Sequence, residues 1–171
     1  MEDTTTASAS RASDLDVLRQ YAQSARIRIV EQPLPDGVCG AWHDASRTIF
    51  LHDRLNQRQR YCTLCHELIH AWHHDPGCGT PYGVKCERRC RRETALALIS
   101  PVDYGLAEQM YEGNMWMVAT ELGVTLQVVR DYQLVLRDTV DGRLTSDMDD
   151  VPRHEDHGFT PIERISYKMG V

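Results

Sequence analysis

The stretch His66-Glu67-Leu68-Ile69-His70 sets two histidines four residues apart in a run whose apolar positions, Tyr61, Leu64, Leu68, Ile69 and Trp72, recur at helical spacing. A helical turn is about 3.6 residues, so positions i and i+4 stack on one face. The run is therefore expected as a helix with both imidazoles on one side and a core to be covered on the other. Asn56 can cap its start with a side-chain oxygen, and the helix should reach about His73. DPGCGTPYG (75–83) ends it, because Pro76, Pro81 and the glycines cannot continue the period.

The elements around this helix follow from pattern. Asp14 to Ser24 carries Leu15, Val17, Leu18, Tyr21 and Ala22 at helical spacing. Three short stretches, 26–31 (RIRIVE), 38–43 and 47–52 (RTIFLH), read as strands, with LPDG (34–37) as a turn and HDAS joining the last two. Helices are expected at 84–99, ending before Pro101, then at 102–111, 114–122 and 126–137, the last with Thr125 as its cap. The fold class is α+β. A small antiparallel three-stranded sheet should pack on a zincin-like helical core around the His66–His70 helix, with a helical C-terminal cap. Residues 1–13 read as a disordered lead-in, 14–138 as one domain, and 139–171 as a flexible acidic tail.

Composition narrows the function classes. With 171 residues, 42% hydrophobic and 26% charged, the chain can bury a real core. A net charge of -6 argues against a polyanion binder, so no direct nucleic-acid partner is expected. No run approaches the roughly 18 apolar residues of a membrane span, and the polar N-terminus does not resemble a secretory signal. A cytoplasmic address is therefore expected. Six cysteines then read as thiols or metal ligands rather than three disulfides.

The histidine pair carries chemistry as well as structure. Imidazole nitrogens suit zinc, and a catalytic zinc takes three protein ligands and leaves one position for water. Glu67, one residue after His66, stands beside such a metal rather than on it. There it can take a proton from bound water whose pKa zinc lowers to roughly 7, and later pass it to a leaving amine. The bland alternative is a chance HExxH on a surface helix. The apolar flanks Leu64 and Trp72 and the glycine-rich break before a second helix argue against it. A third histidine in the metzincin position is excluded, since that position is Pro76. A carboxylate from the following helix remains, and spacing alone leaves Glu87 and Glu93 both open.

Three segments together resemble the ImmA/IrrE family of metallo-endopeptidases, in its short actinobacterial and actinophage form. They are GVCGAWHDASRTIFLHDRL (37–55), RYCTLCHELIHAWHHD (60–75) and ERRCRRETALALI (87–99), followed by MVATELGVTLQVVRDYQLVLR (117–137). The resemblance implies a zinc-dependent, gluzincin-like HExxH peptidase with His66, His70 and Glu87 as ligands and Glu67 as the catalytic residue. It also implies a protein substrate, a DNA-binding transcriptional repressor in phage or bacterial gene regulation. A metal-binding protein that inactivates a repressor by docking, without proteolysis, is the alternative. This chain has Cys90 and Arg91 where the family often has alanine and aspartate. Another carboxylate, such as Asp75 or Asp103, then replaces the missing aspartate, or the metal is held less well.

Other residues invite sharper and blander readings. Cys62, Cys65, Cys86 and Cys90 could form a structural zinc knuckle, but within helices small buried thiols are the favoured reading. A redox-sensitive role for Cys62 and Cys90, each one turn from a ligand, is the sharper one. His73 or His74 could assist substrate, and Tyr82 or Tyr104 could donate to an oxyanion. The segment 117–137 looks like half of a helix-turn-helix, yet with only Arg130 and Arg137 against Glu121 and Asp131 it reads as a packing or docking element.

Overall fold

The computed structural model describes the backbone of residues 4–75 and 81–140 and the side chains of residues 14–75 and 83–140. Among the described residues, six helices and three strands run in the order α1 (Thr4–Ser24), β1 (Arg28–Gln32), β2 (Gly40–His43), β3 (Thr48–His52), α2 (Gln57–Trp72), α3 (Pro81–Leu98), α4 (Pro101–Met110), α5 (Met115–Glu121) and α6 (Leu126–Val140), with a 3-10 turn, Asp44–Ser46, between β2 and β3. The architecture is α+β, as the alternation of short extended runs and longer helical periods implies. α1 starts at Thr4 rather than Asp14. Alanine and serine are compatible with helix, so a helix can run beyond the stretch in which an apolar period is legible.

The sheet is mixed, which corrects the expected antiparallel arrangement. β3 lies in the middle, parallel to β1 and antiparallel to β2. β2 and β3 form the expected hairpin through the 3-10 turn, with Arg47 in the left-handed region at φ 47°. The connection 33–39, with Pro33 and Pro35, is too long for a tight hairpin. It carries the chain across the width of a strand, and β3 fills the slot between β1 and β2.

α2 is the central element, packed on α1, on the sheet and on α3, while α6 packs on α3 and α5. Tyr61, Leu64, Cys65, Leu68 and Ile69 of α2 meet Leu18 of α1 and Ile49 and Leu51 of β3 in one buried cluster. Burying side chains of this size contributes about 1.5–3 kcal/mol each. Hydrophobic burial thus fixes α2, while its side bearing Glu67 and His70 packs against β2 and α3. α6 runs through Val140, two residues into the expected tail of 139–171, and the rest of that tail lies outside the described residues.

Candidate metal centre

α2 begins on a capping box. Asn56 accepts from the Gln59 N–H, and the Gln59 side chain accepts from the Asn56 N–H. This satisfies two otherwise orphaned amides and sets the phase of the helix. Two turns later His66 and His70 project together, their rings edge to face with centroids 4.7 Å apart and Nε2 atoms 3.1 Å apart.

α3 crosses beside them and brings in Glu87. Its Oε2 lies 3.3 Å from His70 Nε2 and 3.4 Å from His66 Nε2. Metal–nitrogen bonds of roughly 2.0–2.1 Å in a tetrahedron give ligand-to-ligand edges of about 3.3 Å. The three donor atoms therefore already have the spacing of three ligands around one ion. Two imidazoles and a carboxylate are a donor set that zinc, manganese or iron accepts. The two histidines hold the Glu87 carboxyl well below its ordinary range by hydrogen bonding and charge. Glu93 points elsewhere: both its oxygens meet His73 Nε2, at 2.9 and 3.2 Å. Of the two glutamates left open by spacing, Glu87 joins the histidines.

Glu67 is 6% exposed and lies between the histidines and β2. Burial raises its pKa, opposed by the charge of His66 and His70 and by the backbone N–H of Trp42. β2 comes this close because residue 40 is glycine. A Cβ there would stand 2.5 Å from Thr63 Cγ2 and 3.1 Å from both Cγ and Oε1 of Glu67. An isolated glycine in a strand often marks such a close approach.

Each histidine has a partner on its far nitrogen. His66 Nδ1 is 3.3 Å from Thr94 Oγ1, whose hydroxyl donates to the Cys90 carbonyl at 2.7 Å. With its proton so used, the Thr94 oxygen accepts from His66 Nδ1–H. His70 Nδ1 is 2.9 Å from Asp75 Oδ2 and 3.4 Å from Cys90 Sγ. Arg89 donates to both Asp75 oxygens at 2.8 Å. Burial opposes the charge on His70, but bonds to Asp75, Cys90 and Glu87 outweigh it and push its pKa up to about 12. The Asp75 carboxyl lies well below its usual range: burial works the other way, yet His70 and Arg89 prevail. Asp75, His70 and Cys90 also cluster closely enough for a cation. The Arg89 guanidinium already occupies that carboxylate.

Of the two carboxylates considered as replacements for the family's aspartate, Asp75 reaches a histidine and Asp103 sits in the first turn of α4. Arg91 turns to α6 and donates to Asp131 at 3.0 and 3.2 Å. Together α3 and α6 form one wall of an open cleft of about 870 Å³ whose other wall is residues 37–42. Cys62, Cys65, Cys86 and Cys90 are buried thiols, and among the described residues no four-cysteine group of metal-binding geometry occurs. Burial raises the Cys90 thiol to about 11, so it is a poor thiolate at neutral pH. His74 meets Asp44 at 3.1 Å. The Tyr104 hydroxyl donates to Glu108 and accepts from Gln133, within the α4–α6 packing. The side chain of Tyr82 and all of Cys78 lie outside the described residues.

Sequence reasoning missed Thr94, Arg89 and Gly40. Thr94 stands two helical turns after Glu87 and so shares its face, a signal that spacing could have supplied. A family model described as Peptidase_M78, IrrE N-terminal-like domain, matches residues 22–131, a span that includes every residue of this centre. Neither a curated protein nor a solved structure matches the chain.

Proposed function

Because the chain belongs to the IrrE N-terminal-like peptidase family, we propose that it is a zinc-dependent endopeptidase of the gluzincin-like HExxH type. His66, His70 and Glu87 hold the metal and Glu67 moves the proton. The observation that supports this most is the meeting of three donor atoms from two helices at 3.1–3.4 Å from one another, with a buried carboxylate alongside. When bound there, zinc supplies Lewis-acid polarisation of water and of the peptide carbonyl. Glu67, whose carboxyl is pushed above its ordinary range by burial, is suited to take a proton from the attacking water. It then returns that proton to the amide nitrogen as the peptide bond breaks.

The cleft between residues 37–42 and the α3–α6 wall is open at the surface, and its volume falls in the range of about 300–1,000 Å³ typical of ligand sites. It therefore suits a short extended stretch of a protein substrate rather than a deeply enclosed metabolite. The resemblance over 37–137 supports a DNA-binding transcriptional repressor as that substrate, in phage or bacterial gene control. The chemistry requires no nucleic-acid contact from this chain.

Elemental analysis of wild type, His66→Ala, Glu87→Ala and Glu93→Ala, paired with N-terminal labelling of extracts treated with wild type and Glu67→Gln, tests the reading. About one zinc per chain is expected, lost in His66→Ala and Glu87→Ala but kept in Glu93→Ala and Glu67→Gln. Cleavages seen with wild type should be absent from the Glu67→Gln sample. Zinc retained after both ligand substitutions would remove the site. Repressor inactivation that persists in Glu67→Gln would replace proteolysis by docking.

A further inference from the structure

We propose that Asp75, clamped by Arg89, is the positioning residue that fixes the ring of His70 for metal binding. The role rests on the metallopeptidase reading above. His70 is 4% exposed, and its two ring nitrogens face different partners. Nε2 faces His66 and Glu87, while Nδ1 lies 2.9 Å from Asp75 Oδ2. An ionised carboxylate can only accept. Once a metal takes Nε2, the one remaining ring proton is therefore held on Nδ1 by Asp75, and Nε2 faces the donor cluster.

The backbone is shaped to deliver this contact. α2 ends at Trp72, His73 caps it, and His74 takes the left-handed conformation at φ 52°. That turn folds the chain back so that the Asp75 N–H donates to the His70 carbonyl at 3.1 Å. A non-glycine residue in the left-handed region is strained by its Cβ. The cost is offset by what the turn brings together.

Asp75 itself is 3% exposed, and a buried carboxylate needs a counter-charge. Arg89 supplies it with two bonds of 2.8 Å from one nitrogen to both oxygens. Arg89 stands two residues after Glu87 on α3. The helix that provides the third donor thus also clamps the carboxylate that orients the second. One chain of contacts, His70 to Asp75 to Arg89, ties α2 to α3 on the side away from the donor cluster and sets its geometry before metal arrives.

The test uses the full-length protein. Wild type, Asp75→Asn, Asp75→Ala and Arg89→Gln are titrated with zinc against a chromogenic chelator and loaded with cobalt(II) for the visible spectrum. His66→Ala and Glu87→Ala are run alongside. Asp75→Ala should lower zinc affinity roughly 10–100-fold and shift the cobalt bands. Asp75→Asn should fall between it and wild type, because its side-chain oxygen still accepts from Nδ1–H. If Asp75→Ala does not fold, Asp75→Asn and Arg89→Gln decide the matter by the same readouts. Wild-type affinity and unchanged cobalt bands in the folded Asp75 variants would overturn the role and leave the metal site standing. Wild-type affinity in His66→Ala and Glu87→Ala would overturn the site, and this role with it.

Discussion

Substituting Gly40 by alanine probes the contact that brings β2 onto the face of α2 that carries Thr63 and Glu67. The added Cβ would stand 2.5 Å from Thr63 Cγ2 and 3.1 Å from Glu67 Cγ and Oε1. Thr63 is β-branched and on a helix, so its methyl cannot swing far aside. Overpacking of this kind costs about 1–3 kcal/mol. Replacing glycine returns about 0.4–1 kcal/mol through the unfolded chain. Taken at the middle of both ranges, the net loss is about 1.3 kcal/mol, or about 5 °C in Tm for a domain of this size. Thr63→Ser removes the clashing methyl and should cost little alone. In the double variant Gly40→Ala/Thr63→Ser most of the lost stability should return, a coupling that denaturant unfolding of all four proteins can measure. On the proposed peptidase reading, in which Glu67 accepts the proton, activity should fall more steeply than stability, because displacing Glu67 by a fraction of an ångström misplaces its carboxylate. Equal stability of Gly40→Ala and wild type, or additive effects in the double variant, would refute the argument.

Three further outcomes are expected. Asn56→Ala removes the capping oxygen of α2 and should cost about 1 kcal/mol in denaturant unfolding. On the proposed metal reading, treatment with a chelator should lower Tm, since a ligand present at 100 times its Kd stabilises by about 2.7 kcal/mol; His66→Ala should be insensitive to the same treatment. In the stripped protein, the depressed Asp75 and Glu87 carboxyls contribute stability that is complete above about pH 4 and lost as pH falls below it. The raised His70, at about 12, contributes stability that is complete below about pH 6.5 and fades as pH rises. Unfolding midpoints should therefore peak between about pH 4.5 and 6.5, with the acid limb flattened in Asp75→Asn.

Much of this protein was legible from sequence because the relevant signals are local. The α2 period, its Asn56 cap and the proline-glycine break after Asp75 all act within a few residues. They suffice to put His66 and His70 on one face with Glu67 beside them. Sheet parity was not legible, because nothing in three short alternating runs says which one lies in the middle. The connection 33–39 only permits β3 to insert, and packing on α2 completes the choice. Glu87 and Glu93 show the same limit at the site. Six residues at about 100° each put them about 120° apart around α3, so only one can face the histidine pair. How α3 is rotated against α2 decides which, and that rotation is set by the buried contacts of Cys90, Ala95 and Leu98 with the core. The partners of the far nitrogens, Thr94 for His66 and Asp75 with Arg89 for His70, belong to the same class of fact. They come from a helix crossing and a left-handed turn, and hydrogen bonds between distant segments leave no period in the chain. Residue chemistry and spacing determined which groups this face can offer; the crossing of α2 and α3 decided which of them meet.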